Sequence, residues 1–116
     1  MNIQIFGKQK CSDTKKAERF FKERKIKFQF IDIDRFGISK GEYQSIRNAV
    51  GSIENLINKK SKEYENQFIS HLASNDDIEE RLLANAGMFI TPIVRDGKKA
   101  TVGYQPNVWE DWINGK

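Results

Sequence analysis

Asn2-Ile3-Gln4-Ile5-Phe6-Gly7-Lys8-Gln9-Lys10-Cys11-Ser12-Asp13-Thr14 starts as one kind of structure and ends as another, and that change decides the fold. Ile3 and Ile5 alternate with polar neighbours, the period of a short strand over Asn2 to Phe6, and Gly7 stops it. Lys8 to Cys11 reads as a loop. From Ser12 the spacing turns helical: Ala17, Phe20, Phe21 and Arg24 follow one face and charged residues fill the rest. Ser12 or Cys11 occupies the cap region, Asp13 lies in the first turn and Arg24-Lys25 in the last, all of which suits the helix dipole. Ile26 to Ile33 alternates again through Phe28, Phe30 and the Ile31/Ile33 pair. Strand, loop, helix and strand make a βαβ unit whose two strands are expected to lie parallel.

Further along, the chain is helical and then extended. Ser39-Lys40-Gly41-Glu42 is a capping box that opens a helix to about Val50, closed by Gly51. Ser52 is placed to cap a short helix through Leu56 and Ile57. Tyr64, Phe68 and Leu72 have helical spacing, and Ser74-Asn75-Asp76-Asp77 opens another helix to about Ala86, ended by Gly87. Met88 to Val94 is an apolar run expected to be a strand. Asp96-Gly97 marks a hairpin turn, and Ala100 to Tyr104 is the partner strand. Pro106 begins a last helix with Trp109, Trp112 and Ile113 on one side. The order βαβ, helices, ββα describes an α/β, thioredoxin-like fold with a mixed sheet. One domain over 1–116 is expected, with residues 37–87 forming a helical insertion between the second and third strands.

Composition narrows the function. The 116 residues are 38% hydrophobic and 31% charged, and eight Phe, three Tyr and two Trp can fill a core. That suits a soluble globular chain. No apolar run approaches the length of a membrane span, and the first seven residues lack the layout of a signal peptide. One cysteine cannot staple the fold, and one cysteine with one histidine, His71, cannot complete a zinc site. A reduced, cytoplasmic setting without a metal is therefore expected. The charge of +4 is unevenly spread: Lys8 to Lys27 holds nine basic residues against three acidic ones, net +6, so the remainder carries −2. A solvated helix face accounts for such a window; a field that attracts an anion or an acidic partner is the alternative. Aromatic stacking residues are missing from that stretch of helix surface, so direct nucleic-acid binding is not expected.

Cys11 is the residue on which chemistry would turn. It stands where a loop meets a helix start, so unpaired N–H groups and the positive dipole end favour thiolate, and Lys8, Lys10 and Lys15 add charge. A small buried cysteine without a role is the plainer reading. Thr14, three residues on, stands where C-x-x-C oxidoreductases keep their resolving thiol. Threonine can only donate a hydrogen bond to the sulfur, or else cap its own helix, so a resolving thiol would come from elsewhere. Pro92, inside an apolar run, must lie at an edge, at a strand start or after a cis bond. His71 reads as an ordinary surface or satisfied histidine, and Trp109 and Trp112 as core.

Ile5-Phe6-Gly7 through Cys11-Ser12-Asp13-Thr14, the capping box at Ser39, Leu56-Ile57-Asn58-Lys59-Lys60-Ser61, Thr91-Pro92-Ile93-Val94 and Gly103-Tyr104 together resemble the ArsC/Spx-like family over nearly the whole chain. The resemblance implies a thioredoxin fold in which a cis Thr91-Pro92 bond packs beside Cys11. It also implies a glutaredoxin-coupled oxidoreductase of the arsenate reductase type. In such an enzyme Cys11 attacks the oxyanion, and glutathione, as co-substrate rather than bound cofactor, resolves it with glutaredoxin. Three arginines of the reductase pattern align with Asn58, Thr91 and Gln105, none of which is arginine here. Arg95, Lys59, Lys60, Lys98 and Lys99 are the candidate substitutes, although lysine lacks the planar fork that suits an oxyanion. Weak arsenate reduction is therefore expected. Spx regulators commonly carry C-x-x-C, which is also absent. Two readings follow: a monothiol redox protein whose partner is a thiol reductant, glutathione or glutaredoxin, and a non-enzymatic regulator that binds a protein partner such as RNA polymerase.

Overall fold

The period change at Ser12 marks a real boundary. In the computed structural model, which describes residues 2–62 and 74–115, β1 (Ile3–Gly7) leads into α1 (Ser12–Glu23), and β2 (Phe28–Asp32) returns parallel to β1, with Ile3 opposite Phe28 and Gly7 opposite Asp32. β3 (Ile93–Asp96) pairs antiparallel on the other side of β1, with Phe6 opposite Ile93, and β4 (Lys99–Val102) pairs antiparallel with β3. The sheet order is β2-β1-β3-β4. β1 is therefore central, and its alternation splits the core. Ile3 and Ile5 join Ala17, Phe20, Phe21, Val94 and Trp109 under α1, whereas Phe6 joins Ile33, Tyr43, Ile46 and Phe89 on the opposite face.

Between β2 and β3 lie α2 (Ile33–Phe36), α3 (Lys40–Val50) and α4 (Asn75–Ala84). The capping box on α3 forms in both directions: Ser39 accepts from the Glu42 N–H, and Glu42 accepts from the Ser39 N–H. Ser74 caps α4 by accepting from the Asp77 N–H. Tyr43 on α3 donates its hydroxyl proton to Glu79 on α4 at 3.2 Å, and Arg47 forms an ion pair with the same carboxylate. Burial and the neighbouring carboxylate push the Tyr43 phenol well above its ordinary pKa, so it remains a donor and links the two helices. The last helix, α5 (Pro106–Ile113), has proline in its first turn and buries Trp109, whose indole N–H donates to the buried Thr101 hydroxyl at 2.8 Å.

Several boundaries differ from the sequence reading. The run Met88 to Val94 is not one strand. Ala86–Met88 forms a 3₁₀ turn, Phe89 makes an isolated bridge to Ile57, and β3 begins only at Ile93. Pro92 has no N–H to give to a ladder, and Ile90 gives its own to Leu56 at 2.8 Å. α4 ends at Ala84, where the Asn85 side chain caps the Arg81 carbonyl, so Gly87 lies within the next turn instead of closing the helix. Ser52 precedes a 3₁₀ turn, Ile53–Asn55, without bonding to it through its side chain. α2 was not foreseen: it is one turn long, capped by the Asp32 carboxylate on the Asp34 N–H. Asp96-Gly97 does mark the hairpin: Asp96 pairs with Lys99, and Gly97 takes φ +61 at the first turn position. The helical reading at Tyr64, Phe68 and Leu72, and His71 with it, lie outside the described residues.

Gly7 shows how closely α1 approaches the sheet. A Cβ there would lie 2.6 Å from the Thr14 hydroxyl oxygen and nearer still to its methyl carbon. Thr14 is fully buried and has nowhere to retreat. Gly7→Ala is expected to destabilise the fold by about 1–3 kcal/mol, the usual cost of overpacking. Urea denaturation checks this as a lower midpoint at unchanged slope.

Candidate functional site

Two independent pieces of backbone bring the thiol to its partner. On one side, the β1–α1 loop closes because the Thr14 hydroxyl accepts from the Lys8 N–H (3.5 Å) while the Cys11 N–H bonds to the Lys8 carbonyl (3.1 Å). Cys11 thereby becomes the N-cap of α1, with extended backbone (φ −83, ψ 118). Its sulfur lies over the first turn of the helix, within reach of the Asp13 and Thr14 N–H groups. On the other side, the register that sets Phe6 opposite Ile93, continued by two residues, sets Thr91 across from Lys8. The Thr91-Pro92 peptide bond is cis. The Thr91 hydroxyl stands 3.1 Å from the Cys11 sulfur and donates to it, and the Thr91 carbonyl, at 3.7 Å, accepts from the thiol when it is protonated.

The sulfur is half-buried, and its pKa reflects a contest. Burial pushes the thiol upward. Hydrogen bonds from the hydroxyls of Thr14 and Thr91, and from the Thr14 and Asp13 backbone N–H groups of the first helical turn, pull it down, and together they win: the Cys11 pKa lies below the ordinary 9.0. The Thr14 hydroxyl can do both its jobs, because accepting the Lys8 N–H leaves its own proton free for the sulfur. Since the folded value is the lower one, the thiolate contributes stability above the unfolded thiol's pKa, and that contribution is lost as pH falls through the folded value.

The other sequence-predicted residues divide sharply. Thr14 and Thr91 converge on Cys11, and the buried Pro92 follows Thr91 across the cis bond. Lys8 lies in the adjoining loop, with its ammonium on the Gly87 carbonyl at 3.1 Å, and Lys10 and Lys15 are exposed. Asn58 folds its side chain onto the Lys60 N–H (3.1 Å), and Gln105 donates to the Val102 carbonyl (3.2 Å). Each is thus engaged with its own turn. Arg95 sits opposite Gln4 in the sheet and bonds to the Gln4 side chain and the Gly97 carbonyl, both at 3.0 Å. That is the hairpin end, about 13 Å of extended chain from Thr91. Lys59 pairs with Glu54, and Lys99 stands over the Trp112 ring on the α5 side. Sequence reasoning missed that Thr91 supplies a donor to the sulfur; the contact spans 80 residues and leaves no local signal.

A model of the ArsC family matches residues 6–112. The chain belongs to the ArsC family. It is 26% identical, over 96% of its length and 98% of the other, to the uncharacterized protein YusI of Bacillus subtilis (strain 168). Among solved structures it is similar to an arsenate reductase from Vibrio cholerae, at a TM-score of 0.85 and 20% identity, covering 95% of this chain and 97% of that one. It is similar in fold to a glutaredoxin from Archaeoglobus fulgidus, at a TM-score of 0.50 and 17% identity, covering 97% and 86%. This ArsC-family chain has a thioredoxin-like fold, with Cys11 at the helix start beside the cis proline. No helix among the described residues is long and apolar enough to cross a membrane, and no group of metal-ligating side chains gathers among them.

Replacing the hydroxyl on the Thr91 side should expose its share of the thiolate's stabilisation. Thr91→Val keeps the side chain's shape and removes the donor, so the Cys11 pKa should rise. Alkylation by iodoacetamide, followed against pH, is expected to show its midpoint shifted upward, with slower reaction at neutral pH. An unshifted midpoint would assign the lowering to the first turn of α1 alone.

Proposed function

We propose that this ArsC-family protein is a monothiol redox protein in which the Cys11 thiolate is the nucleophile. The thiolate attacks one sulfur of a disulfide, forms a new S–S bond and releases the other sulfur as a thiolate. An external thiol of the glutathione or glutaredoxin class then attacks the mixed disulfide, leaves as the new disulfide and returns Cys11 to its thiolate form. The observation that carries this reading is the convergence of hydrogen-bond donors from Thr14, Thr91 and the first turn of α1 on a half-buried sulfur with a lowered pKa. Resolution must come from outside because the chain has no second cysteine.

The same geometry argues against efficient arsenate reduction. Charge that builds on an oxyanion needs donors aimed at it, and each such donor is worth about 2.7–4 kcal/mol, or roughly 10²–10³ in rate. Asn58 and Gln105 are turned onto their own backbones, Thr91 is turned onto the sulfur, and Arg95 is held at the far end of the sheet.

Purified protein with oxidised glutathione is expected to gain one glutathione at Cys11, and Cys11→Ser to gain none; intact-mass measurement decides it. With arsenate, glutathione and glutaredoxin, turnover is expected at least about 100-fold below that of an arginine-bearing family member. Absence of the glutathione adduct at alkaline pH, where thiolate is abundant, would defeat the exchange reading. Fast arsenate turnover would show that lysines suffice.

A further inference from the structure

On the flank of α1 that meets the start of α5, Lys16, Arg19 and Arg24 ring a groove of about 200 Å³ with Phe20, Tyr104 and Pro106 as its apolar walls. Glu23 is the one acidic residue in the lining, against three cations. Two of the cations are already oriented. The Arg24 guanidinium lies 3.7 Å from the centre of the Phe20 ring and pairs with Glu110 at 2.9 Å, and the Lys16 ammonium stands 5.9 Å over Tyr104 and makes a long, exposed ion pair with Asp13 at 3.8 Å. Arg19 is exposed and makes no hydrogen bond or ion pair with any described residue. Tyr104 is 41% exposed, a large aromatic left open beside a cluster of positive charge.

Size and lining determine the class of occupant. Small-molecule sites are usually about 300–1,000 Å³ and mostly apolar. This groove is smaller and rimmed by charge, the dimensions of a seat for one or two side chains. Arginine and tyrosine are also the residues that concentrate binding energy where proteins meet. We propose that this groove docks an acidic segment of a partner protein, with Asp or Glu carboxylates on Arg19 and Lys16 and an apolar neighbour against Tyr104. The inference rests on the exchange chemistry proposed above and names its partner's character. Arg19 follows Cys11 by eight residues, about 12 Å along the helix at 1.5 Å per residue. An extended chain covers that distance in about four residues. The acidic pair is therefore placed about four residues from the partner cysteine whose disulfide Cys11 attacks.

The test uses the full chain and two synthetic ten-residue peptides. Each has one cysteine, followed four and five residues later by either two glutamates or two glutamines. Binding is read by fluorescence anisotropy on versions with serine for cysteine, so that no chemistry is required. The glutamate peptide is expected to bind at least about tenfold more tightly, with an advantage that shrinks as salt rises. Arg19→Glu should abolish the preference and Arg19→Lys retain part of it. Lys22→Glu makes the same charge change on an exposed position outside the groove, and should leave most of it. Equal binding of the two peptides, equal losses in Arg19→Glu and Lys22→Glu, or a single-stranded oligonucleotide outcompeting the peptide for the groove would overturn the docking surface. Exchange is measured separately, with the cysteine peptides as disulfides and with neutral bis(2-hydroxyethyl) disulfide. A glutamate preference in binding without exchange at Cys11 on any disulfide sustains the docking surface and overturns the exchange reading instead.

Discussion

Everything at the thiol depends on a contact that involves no sulfur. Thr14 is wholly buried in the space that a side chain on Gly7 would otherwise fill, and its hydroxyl takes up the Lys8 N–H just past the end of β1. That N–H has left the sheet and would otherwise be an orphan, so a single residue fills the gap and satisfies the donor. The consequence is geometric. α1 must start immediately beside the end of the central strand, which makes Cys11 its cap. The neighbouring strand's register then delivers Thr91 to the same place. A C-x-x-C protein would put sulfur at position 14; here that position closes the loop and its hydroxyl bonds to the Cys11 sulfur.

How far the sequence could be read follows from how local each determinant is. The βαβ unit was legible because the hydrophobic period switches from two to 3.6 and back within one stretch. The capping box at Ser39 and Glu42, the hairpin at Asp96-Gly97 and the proline opening α5 were legible because each is a contact within a few residues. The apolar run Met88 to Val94 misled because its backbone partners, Leu56, Ile57 and Asn58, lie about thirty residues away. Periodicity carries no information about such partners. α2 escaped for a different reason: a single turn is too short to display a helical period. At the site, Cys11 was evident from its position. Thr91 was legible as an arginine's absence and as the residue before a cis Pro92 beside Cys11, but its hydrogen bond to the sulfur was not, because that contact is made through the tertiary fold.

The positive window around Cys11 also resolves into separate effects once the side chains are placed. Hydrogen bonds at contact distance lower the Cys11 pKa against the opposing effect of burial, and one of those donors stands at 3.1 Å. Exposed lysines act through water, where salt at 0.1 M screens charges beyond about 10 Å. Lys8 is held by the Gly87 carbonyl and Arg24 by Glu110, so these two also tie elements together. The window's net +6 is thus not a single device for lowering a pKa. Short-range donors lower the thiol's pKa without help from net charge, and the solvent-facing field acts on charges farther out. The division has a physical advantage. A pKa lowered by hydrogen bonds at contact distance depends little on ionic strength, whereas the field of the exposed flank on any approaching charge is sensitive to salt. Under the exchange reaction and docking surface proposed above, reactivity and partner choice change independently, the first through residues 14 and 91 and the second through the exposed flank of α1.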